Sequence, residues 1–162
     1  MMNTNIEKKW KVYFHDSETD NWKWNSYKQV HEINSITQFW QLFNHIHRFN
    51  FKLKNIFIMK ENILPQWEDK ENINGTICSI QINNDKFVDL FIKLSIIILT
   101  NNFSDDERLI NGISVCEKNG FILIKLWLKK CNNSIKSIIN NVINNFYKNI
   151  SVRYKKIKIE RM

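Results

Sequence analysis

Apolar and polar positions alternate over several short runs of this chain, and the alternation predicts strands at Trp10–Phe14 ("WKVYF"), Ser26–Ile33, Asn55–Met59 ("NIFIM"), Thr76–Ile82, Asn111–Cys116, Phe121–Leu128 and Ser151–Glu160. Between them the period changes to that of a helix. Ile36, Phe39, Trp40, Phe43 and Ile46 follow Ser35, and Ser35 with Gln38 has the spacing of a capping box. Phe87, Leu90, Phe91, Leu94, Ile97 and Ile98 share one face of a second helix over 87–99, and Ser134 is placed to cap a third that runs to about Lys148. Glu117-Lys118-Asn119-Gly120 carries the strongest short hairpin signal, and Asn83-Asn84-Asp85 reads as a turn. Strands with three spaced helices predict an α+β architecture, a mostly antiparallel sheet with helices on one face.

The 162 residues are read as a single domain, 1–162, with 1–8 flexible. Alanine is absent while Asn, Ile and Lys abound, a bias that suits an A/T-rich genome such as a parasite's or a large DNA virus's. Single asparagines therefore carry little weight. The net charge of +8 permits an anionic partner, or simply a soluble basic surface. Cys78, Cys116 and Cys131 make no CxxC and no disulfide framework, so a reducing compartment is expected, with cytoplasmic localisation. The N-terminus has no apolar signal core, and the run Phe87–Leu99 is too short to span a bilayer. No phosphate loop, catalytic pairing or metal spacing is found; His15, His31, His45 and His47 are scattered, the last two pointing to different faces of a helix. The expectation is a non-enzyme without metal, cofactor or membrane contact, acting as a monomer.

Six tryptophans are many for this length. Position favours core packing for Trp10 and Trp40. Trp22, Trp24 and Trp67 lie in or beside polar loops, where a ring is either a lid on the core or a stacking platform. In "LPQWEDKEN", Leu64–Asn72, which holds the only proline, Glu68 follows Trp67 directly. An indole stacks on any flat heterocycle and attracts a cationic one more strongly. A carboxylate in the plane of such a base accepts two N–H donors at once, a pair that guanine presents and adenine does not. A loop Trp-Glu pair, a second loop tryptophan and a nearby lysine suit a charged guanine nucleotide.

The chain resembles the eukaryotic translation initiation factor 4E family, the mRNA cap-binding proteins. The matching segments run in order: "WKVYF", "ITQFWQLFNHI", "ILPQWEDKEN" with Gly75, "FSDDERLINGISV", a strand ending in Trp127, and "NNSIKSIINNVINNFYKNI" before a basic last strand. The resemblance implies a curved, mostly antiparallel sheet backed on its convex face by three helices. It implies a concave site where two tryptophans sandwich 7-methylguanine. By position Trp67 is one sandwich face, Glu68 the edge reader and Trp127 the methyl contact. The other face is Trp22 or Trp24: an ungapped count lands on Lys23 between them, and Trp22, which ends the polar loop, is preferred, leaving Trp24 as a strand residue. Lys118 stands where the family usually has arginine, Leu123 stands at a usual lysine position, and Lys125, two residues before Trp127, is the candidate replacement. Lysine lacks the bidentate fork of arginine. Lys129 and Lys130 are read as solvated.

The resemblance also implies a convex partner site for a helical peptide of a scaffold (initiation factor 4G-like) protein or a repressor, at Ile36, Trp40, Ile96 and Thr100. There Trp40 would be an exposed ring rather than core. Lys93 replaces a glutamate common in the family, which points to an altered partner. The function implied is binding capped mRNA and recruiting it to translation initiation. The alternatives are a cap-binding repressor or decoy and a generic single-stranded RNA binder.

Overall fold

The computed structural model describes residues 5–83, 86–102, 109–148 and 150–159. Its elements in chain order are β1 (Asn5–Asp16), β2 (Tyr27–Ser35), α1 (Ile36–Phe43), β3 (Lys54–Lys60), β4 (Thr76–Ile82), α2 (Phe87–Leu99), β5 (Ile110–Lys118), β6 (Phe121–Leu128), α3 (Asn133–Phe146) and β7 (Ser151–Lys156). β1 starts inside the stretch read as flexible, so residues 5–8 are strand, while 1–4 lie outside the described residues. The strands form one seven-stranded sheet in the order β2-β1-β3-β5-β6-β4-β7. Every pairing is antiparallel.

Alternation along the strands gives the sheet two apolar faces. Trp10, Val12, Ile56, Ile58, Ile113, Val115, Ile124 and Leu126 face the helices, where they pack with Phe39, Phe43, Leu90, Phe91, Leu94, Ile135 and Ile139. The opposite face carries a smaller buried set: Tyr13, Phe57, Met59, Ile63, Ile77, Trp127 and Ile157. All three helices thus serve the first face and leave the second open to loops.

Local chemistry explains the element ends. Ser35 Oγ accepts the Gln38 N–H at 3.2 Å, and the Gln38 side chain reaches back to the Asn34 N–H at 2.8 Å. The helix nevertheless stops at Phe43. Ile46 belongs to a separate short 3-10 turn, Ile46–Arg48, and is buried there, so His45 and His47 are not on α1. α3 is capped by Asn132, whose side chain accepts the Ile135 N–H at 2.9 Å, rather than by Ser134, which falls in the first turn. Asn119 (φ 53°) and Gly120 (φ 79°) are both left-handed, as the tight turn between β5 and β6 requires. In the turn after β4, Asn84 and Asp85 lie outside the described residues, as do 103–108 of the "FSDDERLINGISV" segment. The last strand ends at Lys156, short of the expected Glu160, which also lies outside the described residues.

Candidate binding cleft

A cleft of about 390 Å³ opens on the helix-free face. Phe57 from β3, Ser114 and Cys116 from β5, Lys125 and Trp127 from β6 and Ile77 from β4 line it from the sheet. Loops supply the walls: Trp22 and Tyr27 from the β1–β2 connection, and Pro65, Gln66, Trp67 and Glu68 from the connection between β3 and β4. Trp127 is 4% exposed, and its indole N–H donates to Ser114 Oγ at 3.0 Å, which fixes the ring in the floor of the cleft. Trp22, Trp67, Glu68, Trp127 and Lys125 are thus brought together. Trp24 and Lys118 do not line the cleft.

The Pro65 loop is held by side chains. Asp69 accepts the Leu64 and Glu71 N–H groups, each at 2.9 Å. Asn72 donates to the carbonyls of Leu64 and Gln66, at 2.9 and 2.8 Å. From β5, buried Asn111 donates to the Glu71 carbonyl at 2.7 Å and to Asn72 Oδ1 at 3.0 Å. Gly75 then enters β4 against the carbonyl of Leu128, where any side chain would collide with backbone. Asn72 and Asn111 overturn the reading that single asparagines say little here. Lys129, expected to be solvated, reaches the Glu71 carboxylate at 2.5 Å and holds its carboxyl below the usual glutamate range.

Across the cleft Trp22 lies flat on His15, with ring centres 4.1 Å apart and planes 10° apart. His15 is itself buried, and its Nε2 meets the Asn21 carbonyl at 2.8 Å. Trp24 is not a strand residue: it opens a short 3-10 turn, Trp24–Ser26, and packs against Tyr13 and Tyr27. Tyr27 touches the rings of His15, Trp24 and Phe57 and is the hub of this wall. Burial first, and the Glu68 charge second, push its phenol up to about 12, so it stays neutral beside the carboxylate. Gln66 Nε2 donates to the Trp22 carbonyl at 3.1 Å and ties the two loops together. His15 was open to recognition from alternation alone, since it shares a face with Tyr13.

Of the two lysines expected at the phosphates, the structure brings one to the cleft. Lys118 ends β5 opposite Phe121 at the hairpin tip, whereas Lys125 lines the cleft. The register pairs Ser114 with Lys125, Lys125 with Ser79 and Ser79 with Arg153, so Arg153 lies in the same cross-strand row as Lys125. Lys155 Nζ stands 5.6 Å from the centre of the Trp67 ring. Among the described residues no three His, Cys, Asp or Glu side chains are grouped to hold a metal, and no helix is long and apolar enough to cross a membrane.

On the helical side, Ile36 and Trp40 of α1 and Ile96 of α2 are exposed, at 42%, 40% and 37%. Core packing therefore fails as the role of Trp40. Its ring meets Phe39 edge-on, and Phe43 joins α1 to Phe91 of α2. Thr100 ends α2, its hydroxyl donating to the Ile96 carbonyl at 2.5 Å. Lys93 is engaged within the fold: it pairs with Asp89 at 3.0 Å and lies over the rings of Phe146 and Tyr147. The Tyr147 hydroxyl, then Lys93, hold the Asp89 carboxyl below its usual range.

Comparison with known proteins gives one consistent result. The family model described as "Eukaryotic initiation factor 4E" matches residues 5–160. Eukaryotic translation initiation factor 4E of Candida albicans is 26% identical over 139 residues, which cover 80% of this chain and 66% of that protein. The Eremothecium gossypii protein of the same name is 25% identical over 130 residues, covering 76% of this chain and 62% of that protein. The chain thus spans somewhat less than two thirds of these relatives' lengths. Among solved structures, C. elegans eIF4E-3 in complex with the 4E-binding protein Mextli and a cap analog superimposes with a TM-score of 0.83 at 19% identity, covering 96% of this chain and 93% of that one. Ascaris suum eIF4E-3 in complex with the m7G cap also gives 0.83 at 19% identity, covering 99% and 95%.

Proposed function

Since the chain belongs to the eukaryotic initiation factor 4E family, we propose that it binds the 7-methylguanosine cap of mRNA in the cleft and takes a helical peptide of the initiation machinery on its opposite, helical face. The observation that carries this reading is the cleft itself: Trp22 and Trp67 on facing loops, Glu68 beside Trp67, and Trp127 as the floor. Methylation at N7 makes guanine cationic, so both the indole faces and the carboxylate favour the methylated base. Trp22 rather than Trp24 supplies the second sandwich face. Trp127 meets the methyl group. Lys125 holds phosphate, and its row neighbour Arg153 is better placed to assist than Lys118. The chain acts as a binding protein, not as an enzyme.

Exposed Ile36, Trp40 and Ile96 suit the apolar stripe of an amphipathic helix. Lys93, already occupied by Asp89, is not free to select that partner by charge.

Titration with 7-methyl-GTP and with GTP, following tryptophan fluorescence, tests the cleft. Quenching with a clear preference for the methylated ligand is expected. Equal binding of both, falling steeply with salt, would replace this reading with generic single-strand binding. Pull-down of capped RNA together with a family partner peptide, by wild type and by Trp40→Ala, tests the helical face. The variant should keep the RNA and lose the peptide.

A further inference from the structure

The ring behind Trp22 has an unfinished hydrogen-bond pattern. Trp22 lines the cleft and His15 does not, so His15 backs the indole face turned away from the cleft. Its Nε2 meets the Asn21 carbonyl at 2.8 Å. A carbonyl only accepts, so Nε2 carries the proton of the neutral ring and Nδ1 is left as a bare acceptor. Nδ1 is buried with no partner among the described residues. So is the side-chain oxygen of Asn55, the cross-strand neighbour of His15 on β3. Two acceptors cannot satisfy each other, and native structures rarely leave buried polar groups unmet. A proton on Nδ1 turns one acceptor into a donor and meets both at once.

The surroundings set what that proton does. Tyr27, the cross-strand neighbour on β2, has its phenol pushed up to about 12, by burial first and the Glu68 charge second, and stays neutral. Asp16 and Lys54 form the next cross-strand pair and face the other side of the sheet. Asn21 and Trp22, from the β1–β2 connection, carry no charge. Burial opposes an imidazolium here, whereas the Asn55 oxygen, the Asn21 carbonyl and the indole face favour it. Such a cation shares Trp22 with whatever base stacks on the cleft side. A cationic base is repelled through the ring, and an uncharged base is not. We propose that His15 takes up a proton on Nδ1, held by Asn55, and so lowers the cleft's preference for the methylated base as pH falls. By linkage, the methylated base expels that proton on binding. This inference rests on the cap reading.

The full chain is titrated with 7-methyl-GTP and with GTP from about pH 7.5 to about pH 5.5, the range in which histidine changes charge. The ratio of the two affinities is read, because the triphosphate is common to both ligands. His15→Phe keeps a ring behind Trp22 but takes no proton, and it shares with wild type the titrations of the ligand and of Glu68. Across this range the wild-type ratio should fall about tenfold further than the His15→Phe ratio. Asn55→Leu, which removes the acceptor, should track His15→Phe. Nitrogen-15 NMR of the wild-type ring needs no variant to fold: both ring nitrogens should carry protons at the acid end, and saturating 7-methyl-GTP should remove one. Coinciding ratios in wild type and His15→Phe overturn the inference and leave cap binding intact. So does a ring that holds one proton throughout, as it would if the Asn55 amide turned an N–H to Nδ1. A fall that persists in Asn55→Leu removes Asn55 as the holder and also overturns it. A wild type that prefers 7-methyl-GTP at no pH overturns the cap reading and this inference with it.

Discussion

The two loops that face each other across the cleft each carry an indole, but they are mounted by different physics. The Pro65 loop is hung on charge-assisted and buried hydrogen bonds: Asp69 and Asn72 within it, and Asn111 reaching in from β5. The Trp22 loop has mostly exposed, local hydrogen bonds, such as Asn21 to Asn25 and Ser26 to Lys23. Its ring is placed by stacking on His15. Buried polar networks specify one geometry and fail abruptly when a member is lost, whereas stacking tolerates any flat ring of similar size. One wall of the cleft should therefore be sensitive to polar deletions far from the ligand, and the other only to the loss of aromatic area.

Substitutions at five positions can break or sharpen that contrast. Asn111→Ala strands the Glu71 carbonyl and Asn72 Oδ1, and should lower stability by about 2–4 kcal/mol in urea unfolding while also weakening 7-methyl-GTP binding. An unmoved midpoint would mean that β5 does not hold the loop. Trp67→Ala should weaken 7-methyl-GTP by about 1–3 kcal/mol, the worth of one stacking platform. Trp24→Ala, outside the cleft, should stay within about 0.5 kcal/mol of wild-type affinity, as surface changes usually do. If the two losses were equal, Trp24 would have to be a platform as well. His15→Ala should cost about 1 kcal/mol of ligand affinity and His15→Phe should restore it, because the stack needs only a ring behind Trp22. Failure of phenylalanine to rescue would assign the role to the histidine hydrogen bond instead. Lys129→Ala should cost about 0–1 kcal/mol of stability, since its pair is partly exposed. Glu71 is lowered in the folded state, so this contribution is present above the unfolded-state pKa and disappears as pH falls through the folded-state value. Acid titrations of wild type and variant should therefore converge at low pH.

Periodicity marked the strands and helices well because β1 to β6 each bury side chains and β7 half-buries Val152 and Tyr154. β4 and α2 match their expected spans end to end. It failed where a second signal competed. Ile46 continues the helical spacing of α1, yet the chain turns after Phe43 and buries Ile46 from a 3-10 turn. Ser134 looks like a cap, but Asn132, two residues earlier, does the work. Sheet order was not legible: β4 lies between β6 and β7, a long-range choice that no local pattern encodes. The Trp-Glu pair stood out because a ring and an acid together in a polar loop are unusual. The supports behind it did not. His15 showed only as a residue on the Tyr13 face, and Asn111 becomes informative only once the fold sets it beside Glu71 and Asn72; in an asparagine-rich chain a buried amide looks like any other.

The single hydrogen bond from Gln66 to the Trp22 carbonyl has a consequence for the energetics of capture. It links the two connections that carry the indoles, and so favours one spacing of the rings before any guest arrives. A guest entering a slot of preset width need not freeze two independent loops, and more of its contact energy is left as affinity. Cutting this tie should leave the contacts in the bound state unchanged and show itself instead as a larger entropic penalty in calorimetry.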